Sequence, residues 1–154
     1  MRLEVTRKSD LAVRSLQALA AVTTRVKGPE LAAAVGSTPG FVSQVLTPLV
    51  RAGWVRSDPG PSGGYSLVAD LDDVTVLAVI EAVEGPTDSG RCVLADRPCS
   101  EGGPCALHHA WQRARAQLLD QLDAIPVAAA GAAPSAGRPT RRDTVPALTP
   151  RSIP

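Results

Sequence analysis

With 154 residues, of which 44% are hydrophobic and only 3% aromatic, the chain can build one small domain of roughly 125 residues with a core of Leu, Val and Ala. The net charge of +1 conceals a segregation: residues 1–57 carry eight Lys/Arg against three Asp/Glu, residues 58–125 four against eleven, and residues 126–154 four against one. The basic first third points to an anionic partner, nucleic acid foremost, while the absence of a leader or of an apolar run near the ~20 residues of a membrane helix argues for a cytoplasmic protein with no membrane partner.

In chain order, Ser9 or Asp10 is expected to cap a first helix running to about Thr24, with Leu11, Val13, Leu16, Leu19, Ala20 and Val22 as its apolar residues. Gly28-Pro29 opens a short second helix through Val35, which Gly36 ends. After the turn Ser37 to Gly40, Thr38 can cap a third helix containing Phe41, Val42, Val45, Leu46, Leu49 and Val50. Two short helices across a Gly-containing turn make a helix-turn-helix, whose second helix would enter a major groove. Pro48 removes a backbone donor and should kink or end that helix, which places base contacts before Thr47.

Trp54 to Ser57 and Tyr65 to Val68 have strand composition, and the stiff, Gly-rich segment Asp58 to Gly64 between them reads as the tip of a wing. Gly63 and Gly64 permit positive φ and let the backbone approach a phosphate closely, although a plain hairpin turn needs glycines too. Residues Asp72 to Glu84 read as a fourth helix with an acidic start. Gly85-Pro86 stops it.

The loop from Gly85 to Pro104 is long for a compact domain unless function or a ligand orders it. It holds Cys92, Cys99 and, at its end, Cys105, separated by six and five residues. Three cysteines are an odd number outside a secretory context, which favours reduced thiols in metal or redox work over a disulfide framework. Thiolates are soft ligands of iron–sulfur clusters and of zinc, but neither gap matches the short C-x-x-C spacing that zinc commonly uses. Past Cys105 a helical stripe of Leu107, Trp111, Ala114, Leu118, Leu122 and Ile125, widened by Leu119, suits pairing with a second copy, with packing on the first helix as the alternative. Residues 126–154, with an Ala-rich run and a basic Arg138-to-Arg142 segment, are expected to be disordered. No C-x-x-C pair, cofactor glycine motif or evident substrate pocket supports an enzyme.

Over about residues 1–125 the chain resembles the BadM/IscR/NsrR group of bacterial winged-helix regulators. The likeness rests on Met1-Arg2-Leu3, Ser9-Asp10-Leu11-Ala12-Val13-Arg14-Ser15-Leu16, Gly60-Pro61-x-Gly63-Gly64-Tyr65, and the three-cysteine loop followed by Ala106-Leu107-His108-His109-Ala110-Trp111. The resemblance implies a mainly α fold: a winged helix-turn-helix domain over 1–84, a cluster-binding loop over 85–105, a dimerisation helix over 106–125 and a tail over 126–154. It implies a homodimer on a double-stranded DNA operator, acting as a repressor, with Thr38, Gly40, Phe41, Ser43 and Gln44 facing the major groove and Gly60, Ser62, Gly63 and Gly64 in the wing tip. Arg51 and Arg56 are placed on phosphates. Pro59 stands where IscR-like members carry a wing arginine, so base readout by the wing is not expected.

The same resemblance implies an iron–sulfur cluster on Cys92, Cys99 and Cys105. The fourth ligand is either His108, as in IscR-like 2Fe–2S proteins, or Asp10 from the partner subunit, as in NsrR-like 4Fe–4S proteins. The eight-residue match around Asp10 favours the four-iron form and nitric-oxide or redox sensing. The alternative is a winged-helix regulator without a cluster, signalling through zinc, thiol oxidation or a small molecule.

Overall fold

The computed structural model describes residues 5–87, 90–94, 97–99 and 103–131. Its elements are α1 (Arg7–Ala20), α2 (Gly28–Ala34), α3 (Pro39–Arg51), β1 (Val55–Asp58), β2 (Gly64–Leu67), α4 (Val76–Glu84) and α5 (His108–Asp123). The mainly helical, winged helix-turn-helix architecture is the expected one. Among the described residues no helix is long and apolar enough to cross a membrane.

The core comes from aliphatic residues recurring at helical spacing. Leu16 and Leu19 of α1, Leu31 of α2, Val42, Val45, Leu46 and Leu49 of α3, and Val79 of α4 are fully buried in one cluster. In α3 these positions fall three or four apart, so one face of the helix is apolar and Ser43, Gln44 and Thr47 are left on the other.

Several helix boundaries differ from expectation. The hydroxyl of Thr6 accepts the Ser9 N–H at 3.1 Å and caps α1 a turn earlier than supposed, while Ser9 itself is buried. At its other end α1 stops at Ala20, and the chain then extends so that Val26 and Tyr65 exchange two backbone hydrogen bonds of 2.9 Å. The acidic stretch before α4 is a turn, not helix: Asp70 Oδ1 accepts from Asp72 N at 3.0 Å, and Thr75 supplies the cap through Ala78 N at 3.1 Å. Pro48, expected to kink or end α3, lies inside the helix, which continues to Arg51. One missing donor is tolerated near the end of a helix whose apolar face is held by the core.

The wing pairs Val55 with Leu67, Arg56 with Ser66, Ser57 with Tyr65 and Asp58 with Gly64. Its tip is therefore the loop 59–63, closed by Gly63 N donating to Gly60 O at 2.9 Å, and Gly64 belongs to β2. Both glycines are sterically required. A Cβ on Gly63 would meet the Asp58 carbonyl oxygen at 2.1 Å, and one on Gly64 the Val26 carbonyl oxygen at 2.6 Å. The close backbone approach is thus within the hairpin and to the α1–α2 connection. Arg25 Nε, 3.0 Å from Asp58 Oδ2, forms an ion pair at the end of β1 that adjoins the tip.

The chain does not leave the domain at Ile125. Val76 N donates to Ile125 O at 2.9 Å, Val127 N to Val74 O at 2.8 Å, and Val127 is fully buried. The boundary expected at 126 thus lies too early, because an isolated valine after proline reads as tail and yet fills a hole between α1 and the segment before α4. Residues 132–154, including the basic Arg138-to-Arg142 segment, lie outside the described residues.

Candidate regulatory site and nucleic-acid interface

Thr38 caps α3 through the Phe41 N–H at 3.4 Å, which puts Gly40, Ser43 and Gln44 on the exposed side of its first turns. Phe41 is partly buried and packs against the core, so less of its ring is available to a groove. Arg51 and Arg56 are both exposed, at the end of α3 and in β1, as are Gly60 and Ser62 at the wing tip.

The described part of the cysteine loop is tied back on itself. Cys92 N donates to Arg97 O at 3.0 Å, and Arg91 and Pro98 form an isolated bridge. Leu94 N donates to Cys92 Sγ at 3.5 Å, a contact that stabilises charge on sulfur. The loop then meets α5, where His108 N donates to Cys105 O at 3.0 Å and the His108 and His109 rings meet edge to face at 5.1 Å.

Loop and helix enclose a cavity of about 350 Å³. Cys99, Cys105 and His108 line one part of it, Trp111, Ala116 and Leu119 give an apolar wall, and Arg115 adds a cation. Cys92 does not line the cavity, but its thiol lies within electrostatic reach of Cys99. Partial burial pushes the Cys99 thiol up, the Cys92 hydrogen bond and the charges of Cys92 and Cys105 push it further, and Arg97 opposes them. The sequence separates these thiols by six and five residues, and the fold brings them within electrostatic reach of one another.

Among the described residues no three His, Cys, Asp or Glu side chains are gathered closely enough to hold a single metal ion. A multi-iron unit makes a different demand, since its irons lie apart and are held by separate protein ligands. Asp10 does not line the cavity; it is exposed on α1, with Arg14 Nη1 3.7 Å from its Oδ2.

Helix α5 packs against α4 rather than α1. Its inward line is His108, Trp111, Arg115, Leu119 and Leu122, all half-buried, whereas Ala114 of the expected stripe is exposed. Leu107, Leu118 and Ile125 are also exposed, which leaves an apolar margin without cover in one chain. Arg115 escaped sequence reasoning, although an arginine at helical spacing between Trp111 and Leu119 was the available signal.

Residues 5–130 match the family model described as Rrf2, iron-dependent transcriptional regulator. The chain is 36% identical over 132 residues to a candidate helix-turn-helix transcriptional regulator of Mycobacterium tuberculosis, covering 82% of this chain and 81% of that one. It is 32% identical over 90 residues to the transcriptional regulator IscR of Vibrio vulnificus, spanning 58% of this chain and 53% of IscR. Among solved structures its fold is similar to CymR of B. subtilis, described as a global cysteine regulator (TM-score 0.63, 23% identity, 82% and 95% coverage). It is also similar to the IscR of T. potens (TM-score 0.60, 24% identity, 82% and 84% coverage).

Proposed function

This chain belongs to the Rrf2 family of DNA-binding transcriptional regulators, and from that premise we propose that it is a homodimeric repressor controlled by an iron–sulfur cluster on Cys92, Cys99 and Cys105. The observation that carries the reading is the cavity that gathers Cys99, Cys105 and His108, with the Cys92 thiol close enough to Cys99 to influence its charge. Three soft donors beside an imidazole suit iron–sulfur ligation. A bound cluster supplies iron that reacts with nitric oxide or oxidants.

The other steps belong to the chain's own residues. The first turns of α3 offer Thr38, Gly40, Ser43 and Gln44 to base edges, with Phe41 in apolar contact, and Arg51 and Arg56 neutralise phosphates. Gly60, Ser62 and Gly63 bring the wing against the backbone, with Gly64 holding its base. The uncovered margin Leu107, Leu118 and Ile125 pairs two copies, which sets the spacing of two half-sites. The fourth ligand has two contenders: His108 shares the cavity with two of the thiols, whereas the exposed Asp10 is available to the cavity of a partner subunit.

The test is anaerobic purification followed by absorption spectra, iron and sulfide counts, and DNA binding before and after nitric oxide. Coloured protein that loses DNA affinity on exposure is expected; metal-free protein with undiminished, signal-independent binding overturns the reading. A cluster-free regulator working by thiol oxidation is the second reading, favoured by three free cysteines of which Cys92 and Cys105 both influence the charge of Cys99. It requires colourless protein whose DNA binding changes with oxidant and is restored by reductant.

A further inference from the structure

Between the cysteine cavity and the first helix of the DNA-binding domain run two sets of polar contacts, joined by the last turn of α4, that cluster ligation does not use. It begins at Arg115, which lines the cavity beside Cys99 and Cys105 and donates from Nη2 to the Thr87 carbonyl at 2.5 Å. Thr87 in turn donates twice to Glu81 Oε1, from its N–H at 3.1 Å and its hydroxyl at 2.7 Å. Glu81 lies in the last turn of α4, one turn before Glu84.

At Glu84 the contacts cross to α1. Glu84 Oε1 accepts from Ser9 Oγ at 3.1 Å and from Thr6 Oγ1, while Lys8 Nζ donates to the Val83 carbonyl. Ser9 is only 1% exposed, so losing the carboxylate would leave a buried hydroxyl without that acceptor. Thr6 is the cap of α1, and its carbonyl accepts the Asp10 N–H at 2.9 Å. The start of α1 is thus held by the end of α4, and α1 packs on α3.

We propose that the contacts from Arg115 through Thr87 and Glu81 to Glu84 and the α1 cap form the joint by which whatever fills the cysteine cavity sets the position of α1, with Thr87, Glu81 and Glu84 as positioning residues. The proposal rests on the sensory reading of the cavity given above. Its physical basis is competition for one guanidinium. A charge-assisted bond to an anionic occupant held by the thiols is stronger than a bond to a neutral carbonyl, so occupancy draws Arg115 from Thr87. The turn after α4 then loses its tether on the α5 side, and the Glu81 and Glu84 contacts shift between two arrangements.

The experiment has two arms, each using the full chain. In metal-free protein, Thr87→Val, which keeps the side-chain shape and removes the hydroxyl, is expected to speed hydrogen exchange at the Ser9 and Asp10 amides. Changes confined to 85–90 overturn the joint. In anaerobically loaded protein, Thr87→Val and Glu84→Ala are expected to keep the wild-type iron content and visible spectrum while the ratio of DNA affinities between loaded and stripped forms falls at least about fivefold. A ratio retained in both variants also overturns it. If the wild-type ratio is already one, the sensory reading fails, and the metal-free arm still decides whether the cavity and α1 are mechanically connected.

Discussion

Gln17 and Val127, 110 positions apart, are joined by a hydrogen bond of 2.9 Å from the Gln17 amide nitrogen to the Val127 carbonyl. The bond links the middle of α1 to the segment just after α5, and the valine beside it is fully buried. The chain just after α5 is therefore pinned to α1. Replacing Val127 by Ala leaves a cavity of about two methyl groups and should cost about 2 kcal/mol, measured by denaturant unfolding. A chain ending at Ile125 should lose more, because the Val74 carbonyl also loses its donor. Unchanged stability in both would show that this segment does not hold the fold.

The wing makes a steric prediction. Gly63→Ala places a Cβ within 2.1 Å of the Asp58 carbonyl oxygen, so the hairpin must open, at a cost of about 2 kcal/mol or more. Gly36→Ala is the control: its φ of +66° is strained for alanine, but nothing lies within 4 Å, and about 1 kcal/mol is expected. Thermal unfolding of the two variants side by side tests the order.

Glu81 predicts a pH effect with a definite sign. Hydrogen bonds from the Thr87 hydroxyl and then its N–H hold the Glu81 carboxyl below its ordinary value, against a small opposing contribution from burial. A depressed folded value means that the stabilisation is present above the unfolded value and is lost as pH falls through the folded one. Thr87→Val should bring the Glu81 titration, followed by carboxyl carbon NMR, back toward the ordinary value. An unmoved midpoint would mean that the hydroxyl bond contributes nothing in solution.

Arg51 and Arg56 should act on affinity without changing sequence preference. Each phosphate contact removed lowers the slope of log affinity against log salt by about one unit, so each alanine variant should flatten the salt dependence by about one per protomer. A variant that relaxes operator choice with the slope intact would place that arginine on a base.

The fourth-ligand question reduces to two substitutions. Asp10→Ala and His108→Ala, purified without oxygen, are expected to alter the visible spectrum in one case only. Two unchanged spectra would remove both residues from the ligand set.

The parts legible in the sequence were those fixed by short-range physics. Thr38 announces the cap of α3, the spacing of Val42, Val45, Leu46 and Leu49 its buried face, and the glycines between two short strand-like runs the wing. The missed parts depend on distant partners. Thr6 and Ser9 can both cap a helix, and only burial of Ser9 against Glu84 decides between them. Pro48 looked like a terminator because the pattern does not show how firmly the core holds that face. Val127 looked like tail because its hole is made by residues 74 and 17. The thiols could be grouped by chemistry, but Arg115 and Thr87, 28 positions apart, meet only through the packing of α5 on α4.

The scarcity of aromatic residues has a practical corollary. The chain has two tryptophans: Trp54 packs against the core at the foot of the wing, and Trp111 lines the cysteine cavity. Each therefore reports from a different half of the molecule. With Trp54 replaced by Phe, the remaining indole emission comes from the cavity wall alone, where a coloured occupant would quench it. With Trp111 replaced instead, the emission comes from Trp54 at the foot of the wing. The two regions can thus be watched separately by light, without an added label.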